Sequence, residues 1–267
     1  MRLRVKMIQL GMALGFTTVT SCRTPMPPPL RLEAVDREAV VKKAAAHGLV
    51  PVSSGDPGIA VDQRYATADN AFRRVLYPAG FPVLISAPTA GKLAVANAAL
   101  RPRGLHLLVW DAYRPPEVQW RIFQLFQSEN YVADPRKKWS KHCYGRAVDL
   151  TLADGKGQAV PMPGAFDDFT AKASATYTGN DPAVRRNLEL LQKVMRDAGF
   201  TVYVDEWWHF TDLSCKTLKI VRRVNRNREK GQASSRSSMA RAAAARFSGS
   251  VPGMRERLPK VTTLMAR

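Results

Sequence analysis

Cysteine is scarce in this sequence, which contains Cys22, Cys143 and Cys215 in 267 residues. So few cysteines cannot staple a small disulfide-rich scaffold. Long apolar runs are lacking as well, because the uncharged stretch near the start, residues 7–20, is shorter than the ~20 residues of a membrane-spanning helix. With 45% hydrophobic residues, the composition is that of a globular protein with an ordinary apolar core.

Acidic residues are also in deficit, with 22 Asp and Glu against 41 Lys and Arg and a formal net charge of +19. The excess lies at the two ends: residues 1–6 carry +3 and residues 216–267 carry +12, which leaves +4 for the rest. The overall charge is therefore no ground for a nucleic-acid-binding protein. We expect no specific nucleic-acid partner.

The N-terminus has the pattern of an export signal over residues 1–21, with Arg2, Arg4 and Lys6 followed by a short uncharged stretch. Val19-Thr20-Ser21-Cys22 resembles a bacterial lipoprotein box. This resemblance implies lipidation at Cys22 and an exported, periplasmic lipoprotein anchored to the outer membrane. A plain secretory signal with an incidental Cys22 is the alternative. Residues 22–31 contain four prolines and would form a stiff, lipid-anchored spacer.

Apolar periodicity predicts helices and strands that alternate at unequal spacing, which favours an α+β fold in one compact domain over residues 32–215. The predicted helices lie at 89–100, 117–127 and 182–198, and the predicted strands at 105–109, 147–152 and 201–204. Residues 216–267 are basic and poor in aromatics, so we expect a largely disordered tail. The tail either contacts anionic lipid or cell-wall polymer, or is a solvated extension without function.

Histidine is scarce too, and the helix-borne metalloprotease motif His-Glu-x-x-His is absent. A metal site that uses histidine must draw on four candidates, namely His47, His106, His142 and His209. His142 precedes Asp149 by seven residues, and Gly145 between them can turn the chain so that both side chains face one point. A carboxylate in the apolar strand around Asp149 needs a partner, and a metal ion is one. We assign His47 and His106 to structural roles.

His209 follows Glu206 by three residues in Glu206-Trp207-Trp208-His209. Side chains three apart on a straight strand face opposite ways, so this segment must bend if both groups address one site. The two tryptophans would form an apolar wall that tunes the carboxylate for proton transfer. Each piece alone is more typical of structure, but two histidines, one aspartate and a nearby glutamate make a complete set of ligands and base.

Arg114 is a further candidate, because it follows a buried strand at a turn fixed by Pro115 and Pro116. Its planar, permanently charged head can bind a carboxylate or a developing oxyanion. An ion pair with Asp111 is the alternative interpretation.

Three motifs, in this order, resemble the pattern of the D-alanyl-D-alanine dipeptidases, the vancomycin-resistance type within the wider group of zinc D,D-peptidases. They are Asp111-x-Tyr113-Arg114-Pro115, Ser140-x-His142-x-x-Gly145-x-Ala147-x-Asp149 and Glu206-x-x-His209. The likeness runs from about residue 59 to 212, and the segments around Tyr65-Ala66-Thr67 and Trp207-Trp208 indicate the dipeptidase branch. Cys143 and Tyr144 depart from some members, which have Ser and Arg there.

The resemblance implies a mostly antiparallel sheet flanked by helices, with one Zn²⁺ per chain bound on the sheet by His142, Asp149 and His209. Glu206 would be the general base and acid, and Arg114 would stabilise the tetrahedral intermediate. The remaining implied residues contact the termini of the dipeptide substrate, and they are Tyr65, Ser140 and Asp167.

The implied reaction is hydrolysis of D-alanyl-D-alanine in turnover of cell-wall peptide. A D,D- or L,D-carboxypeptidase acting on longer peptides is the alternative with the same metal set. A wall-binding module without activity is a third reading, against which the complete set of ligands and base argues. An exported enzyme cannot reach a cytoplasmic pool of the dipeptide, so scavenging or turnover fits better than antibiotic resistance.

Overall fold

The computed structural model describes residues 32–128 and 131–214. The predicted signal peptide over 1–21, the predicted spacer over 22–31 with the predicted lipidation site Cys22, and the basic tail over 216–267 lie outside the described residues. Cys215 also lies outside them, while Cys143 is a buried free thiol. No helix of the described part is both long and apolar enough to span a membrane.

The described residues contain four α-helices, and three of them begin at a capping side chain. The side chains of Asp36, Ser86 and Asp181 each accept hydrogen bonds from backbone N–H groups of the first helical turn, which are otherwise unpaired. Pro182, directly after Asp181, begins the last helix as the sequence predicts. The helices are α1 (Arg37–Ala45), α2 (Ala87–Leu100), α3 (Pro116–Leu125) and α4 (Pro182–Asp197).

Among the residues that the structure describes, seven short strands form two sheets. The strands are β1 (Leu49–Pro51), β2 (Ala60–Val61), β3 (Leu84–Ser86), β4 (Leu105–Asp111), β5 (Ala147–Asp154), β6 (Thr201–Tyr203) and β7 (Glu206–Thr211). β1 pairs with β3, and the larger sheet has the order β2-β4-β5-β7-β6. Only the β2–β4 pairing in it is parallel. The expected α+β class with a mostly antiparallel sheet and flanking helices is therefore confirmed.

The larger sheet has one apolar face and one face that carries polar groups. Val148, Leu150 and Leu152 of β5 join the core cluster that also contains apolar residues of α2 and α4. Because side chains alternate along a strand, Asp149 points to the other face. Burial against α2 and α4 thereby fixes the register that presents Asp149 to the site.

Two irregularities in the strand pairing lie next to the polar face. Between β4 and β5, Val109 pairs with Leu150 and Asp111 with Asp149, so one residue of β4 is unpaired. Between β6 and β7, Val202 pairs with Phe210 but Tyr203 pairs with Glu206. Bulges of this kind re-aim side chains beside functional sites, and both of these stand beside the candidate ligands.

Candidate metal centre

The candidate ligands are brought together by strand pairing and one glycine turn. Asp149 of β5 and His209 of β7 are direct partners in the antiparallel ladder. His142 lies in a short 3₁₀ turn, Lys141–Tyr144, that ends at Gly145 with a φ of 63°. A Cβ atom at Gly145 would lie 2.5 Å from the Leu49 side chain, so this left-handed turn requires glycine.

Polar atoms of three residues converge on one point. The Nε2 atom of His142 lies 3.2 Å from Nδ1 of His209 and 3.3 Å from Oδ2 of Asp149. Nδ1 of His209 lies 3.0 Å from Oδ1 of Asp149. Ligand atoms ~2.0–2.1 Å from a tetrahedral Zn²⁺ are roughly 3.3 Å apart, so these separations fit an ion of that size. Two imidazoles and one carboxylate are also a donor set that Zn²⁺ accepts.

The hydrogen bonds on the outer side of each imidazole fix how the rings face the centre. Nδ1 of His142 lies 2.7 Å from the Ala112 carbonyl oxygen, which can only accept, so Nδ1 carries the hydrogen and Nε2 keeps its lone pair. Nε2 of His209 lies 3.1 Å from the hydroxyl of Thr211, which can hold the tautomer with a lone pair on Nδ1. Such outer partners orient metal-binding histidines.

The protonation states of the ligands also suit a cation. Burial lowers the pKa of His209, which favours the neutral imidazole. Burial alone would raise the pKa of Asp149, but His142 and His209 outweigh it and hold that pKa well below its usual range. His209 therefore presents a neutral nitrogen and Asp149 an anionic oxygen, which are the forms that bind a metal ion.

Glu206 stands beside the cluster because the pairing shift between β6 and β7 bends the chain. Its Oε2 atom lies 3.6 Å from Nδ1 of His209, so the predicted bend of this segment is confirmed. Burial, and then the charges of Asp149 and Asp167, raise the pKa of Glu206 well above its ordinary value. A carboxyl group in this environment keeps its proton to a higher pH than an exposed one does.

The two tryptophans after Glu206 play different parts. Trp208 lines the cavity beside the cluster, as expected of an apolar wall. Trp207 is instead fully buried in the core and packs edge-on against Trp110.

Arg114 reaches the same cavity with its charge already paired. Its Nε and Nη2 atoms donate to Oδ2 of Asp111 at 2.9 and 2.7 Å, and Nη1 donates to Oε1 of Gln119 at 2.9 Å. The ion pair with Asp111, which was the alternative interpretation, is thus formed. It holds the guanidinium so that Nη2 lies 3.6 Å from Oδ2 of Asp149. The two interpretations of Arg114 are compatible, because a clamped guanidinium can still face a substrate oxygen.

Tyr65 and Asp167 form a second polar pair in this cavity. The Tyr65 hydroxyl donates to Oδ2 of Asp167 at 2.9 Å, although 102 positions separate them. Asp167 is a non-glycine residue with a φ of 58°, a strained conformation that often accompanies function. Burial, and then the charge of Asp149, raise the pKa of Asp167 to about 7. Its second oxygen has no hydrogen bond within the described residues.

Two spaces of unequal size meet at the cluster. A small cavity of about 40 Å³ is lined by Tyr65, Arg114 and Asp167, and an open groove of about 800 Å³ runs along β6 and β7. Ser140, Glu206 and His209 line both spaces. Oγ of Ser140 accepts from the backbone N–H of His142 at 3.3 Å, so Ser140 also supports the ligand turn.

Sequence reasoning missed some supporting residues of the site. Among residues 32–128 and 131–214, the group of His, Cys, Asp or Glu side chains close enough to bind a metal ion consists of His142, Asp149 and His209. His47 and His106, to which we assigned structural roles, are not part of it. Thr211 was missed, although its position two residues after His209 on one strand places both on the same face. The groove also went unnoticed, because its wall and floor come from segments that are distant in sequence.

Comparison with known proteins identifies the class to which this chain belongs. A family model described as D-ala-D-ala dipeptidase, Peptidase_M15, matches residues 45–226. The chain therefore belongs to this family of peptidases, and the resemblance inferred from the motifs is confirmed.

Two curated relatives are each named D-alanyl-D-alanine dipeptidase. The protein of Escherichia coli (strain K12) is 33% identical over 154 residues, which are 58% of this chain and 79% of the relative. The protein of Enterococcus faecium is 30% identical over 182 residues, 57% of this chain and 85% of the relative.

Two solved structures are more distant. One is a variant of the vancomycin resistance D,D-pentapeptidase VanY in complex with Zn(II), with 20% identity, a TM-score of 0.34 and coverage of 49% of this chain and 74% of that chain. The other is VanYB in complex with D-Alanine-D-Alanine, with 19% identity, a TM-score of 0.35 and coverage of 52% and 74%. A likeness at this level says nothing about the site.

Proposed function

We propose that the protein is a zinc-dependent dipeptidase that hydrolyses D-alanyl-D-alanine to two D-alanines in turnover of cell-wall peptide. The observation that carries the proposal is the convergence of His142, Asp149 and His209 on one point with the buried carboxyl group of Glu206 beside it. The names of the two curated relatives support the choice of substrate.

His142, Asp149 and His209 would hold one Zn²⁺ per chain and leave one ligand position open. When bound there, Zn²⁺ supplies a Lewis acid that polarises the scissile carbonyl and makes water a better nucleophile at neutral pH. The lone pair on Nε2 of His142, fixed by the Ala112 carbonyl, supports this assignment.

Glu206 would act as the proton carrier of the reaction. Its carboxylate takes a proton from the attacking water and returns it to the amine that leaves, so the same group is base and then acid. The raised pKa of Glu206 suits the second of these steps, because a group that holds its proton can deliver it. Trp208 would limit the access of bulk water to this transfer.

Arg114 would stabilise the negative charge that develops on the carbonyl oxygen. Its contacts with Asp111 and Gln119 hold the guanidinium in place before the substrate arrives, and such preorganisation is what makes an oxyanion site effective. Asp167 would bind the ammonium group of the substrate with its free oxygen, and Tyr65 would orient it. Ser140 would contact the carboxyl terminus.

The location outside the inner membrane is a separate proposal that rests on the sequence of residues 1–31 alone. Export, a lipid anchor at Cys22 and a periplasmic position would confine the enzyme to dipeptide released from the wall. Anionic lipid or wall polymer remains the proposed contact of the basic residues 216–267.

The test of the proposed function is hydrolysis by purified, zinc-loaded protein. We expect D-Ala-D-Ala to be cleaved to two D-alanines, and the enantiomer L-Ala-L-Ala to be left intact. A wall pentapeptide separates the alternative, because a D,D-carboxypeptidase removes its terminal D-alanine and prefers it to the free dipeptide. Absence of hydrolysis of both compounds by protein that contains zinc would refute the proposal.

A further inference from the structure

The groove beside the metal centre has a floor and a wall of different character. The floor is the sheet face that carries His209 and Thr211 of β7 and Thr201 and Tyr203 of β6. The wall is the segment 137–146, which leads into the ligand turn at His142. A volume of about 800 Å³ is within the range of pockets that hold drug-sized ligands, and exceeds what the second alanine of a dipeptide needs.

Positive charge dominates the described lining of this groove. Four cationic side chains line it, from Lys137, Lys138, Lys141 and Arg146, and one carboxylate, Glu206. The side chains of Lys138 and Lys141 are exposed and form no ion pair within residues 32–128 and 131–214. Their field therefore acts on whatever enters the groove, and a carboxylate-bearing ligand is the complementary one.

The small cavity on the other side of the cluster has the opposite polarity. Asp167 is buried there and has one oxygen without a hydrogen bond within the described residues, while Arg114 is paired with Asp111. A buried carboxylate of this kind is best satisfied by a cation such as a substrate ammonium group. About 40 Å³ is the space of roughly three water molecules, which suits one small residue.

We propose that the substrate lies across the metal centre in one direction, with a single small N-terminal D-residue in the small cavity and a carboxylate-bearing C-terminal segment in the groove. This inference rests on the proposed function and widens its substrate class from the dipeptide to acidic peptides with a free N-terminal D-alanine. A peptide extended at its N-terminus is excluded by the small cavity.

The reaction on such a peptide is ordinary hydrolysis. The bond between the first carbonyl carbon and the second nitrogen breaks, the hydroxyl of water joins the carbonyl carbon, and the remaining proton reaches the leaving amine through Glu206. D-alanine and the shortened acidic peptide are the products. No co-reactant other than water is needed.

The test compares matched peptides on zinc-loaded full-length protein. The tripeptides D-Ala-D-Ala-D-Glu and D-Ala-D-Ala-D-Gln differ in one charge, and acetyl-D-Ala-D-Ala lacks the ammonium group. We expect both tripeptides to release the N-terminal D-alanine, with kcat/KM about fivefold higher for the glutamate peptide, as exposed ion pairs allow. High salt should remove this preference. The acetylated dipeptide should not be cleaved.

A pair of double variants attributes the preference to the groove. Lys138→Ala with Lys141→Ala should bring the ratio of kcat/KM for the two tripeptides close to one. Lys42→Ala with Lys156→Ala removes two exposed lysines outside the groove and should keep the ratio.

Each outcome decides a different point. Cleavage of D-Ala-D-Ala without cleavage of either tripeptide would overturn the inference and leave the proposed function standing. Equal rates for the two tripeptides, or a preference unchanged in the Lys138 and Lys141 double variant, would overturn the acidic substrate class. Loss of all hydrolysis, D-Ala-D-Ala included, would refute the proposed function and the inference with it.

Discussion

The Nε2 atom of His142 lies 3.2 Å from the Nδ1 atom of His209, although 67 positions separate the two residues. The Ala112 carbonyl forces the hydrogen of His142 onto its other nitrogen, so an unshared lone pair points at this contact. Two nitrogen lone pairs at this distance repel each other. A cation between the rings would bind both nitrogens and remove the repulsion.

His209→Ala should abolish stoichiometric zinc binding, because it removes one of three protein ligands. The wild-type protein should contain about one zinc per chain, measured by atomic emission on dialysed protein. His47→Ala is the matched control, since His47 is exposed and is not part of the cluster, and this variant should keep its zinc. Unchanged zinc content in His209→Ala would mean that the ligands have been misassigned.

Glu206→Gln should retain zinc and fold normally but lower kcat by ~10²–10⁴-fold, the usual contribution of general acid–base catalysis. The amide keeps the size of the side chain and loses the ability to take a proton. Asp205→Asn alters an exposed neighbour and should change kcat far less. Loss of zinc in Glu206→Gln would make Glu206 a ligand, and near-normal kcat with zinc bound would place the base elsewhere.

Thr211→Val should weaken zinc binding by ~10–100-fold, as loss of an outer partner of a metal-binding histidine does. The substitution removes the hydroxyl that lies 3.1 Å from Nε2 of His209 and keeps the shape of the side chain. Competition with a chelator of known affinity measures the change. Thr211→Ser restores the hydroxyl and should restore affinity, whereas Thr201→Val on the neighbouring strand should have no effect on it. Equal affinities for all three variants would contradict the role given to Thr211.

Asp212→Asn should lower the free energy of unfolding by about 1–3 kcal/mol, the cost of disrupting a buried, charged hydrogen-bond network. Asp212 is fully buried and accepts hydrogen bonds from Thr89, Lys92 and Ser214, which fastens α2 to the end of β7. Chemical denaturation measures the loss. Asp197→Asn, in an exposed ion pair with Lys193, should stay within about 0.5 kcal/mol of the wild type.

The same network predicts an acid dependence of stability. Burial would raise the pKa of Asp212, but hydrogen bonds from Lys92 and Ser214 outweigh it and keep that pKa below the ordinary 3.8. A carboxyl group with a depressed pKa in the folded state stabilises above its unfolded pKa and loses this contribution as the pH falls through the folded pKa. The difference in unfolding free energy between wild type and Asp212→Asn should therefore shrink below pH 4. A constant difference across that range would contradict it.

The mature protein should begin at a lipidated Cys22 if the N-terminal pattern is read correctly. Mass spectrometry of the N-terminal peptide from a membrane fraction should show a diacylglyceryl mass on this residue. Cys22→Ser should leave the precursor unprocessed at this site. Cleavage elsewhere with an unmodified Cys22 would indicate a plain secretory signal.

The candidate ligands could be predicted from sequence one segment at a time, because each segment carries a local pattern. Gly145 between His142 and Asp149 permits the turn, and the strand around Asp149 has an apolar alternation that turns its carboxylate to the opposite face. The spacing of Glu206 and His209 demanded a bend, and the pairing shift between β6 and β7 supplies it.

Other parts of the site depend on long-range register, which no local pattern encodes. Asp111 meets Asp149 across the ladder only because one residue of β4 is unpaired there, and this juxtaposition is what places Arg114 beside the ligands. Trp207 lies in the core next to the pairing shift between β6 and β7, and that shift is likewise not encoded in a local pattern. The Tyr65–Asp167 hydrogen bond joins segments 102 positions apart, and only the resemblance to a known family brought the two residues to notice.

The pairing of Asp149 with His209 in the β5–β7 ladder also bears on how the protein folds. Sixty positions separate them, so closing this pair is a long-range event that the chain reaches slowly. The three candidate ligands come together only when β7 pairs with β5, because His209 belongs to β7 and Asp149 to β5. The complete zinc site would therefore form only after β5 and β7 have paired. Stoichiometric binding of zinc would then indicate that this part of the sheet has folded.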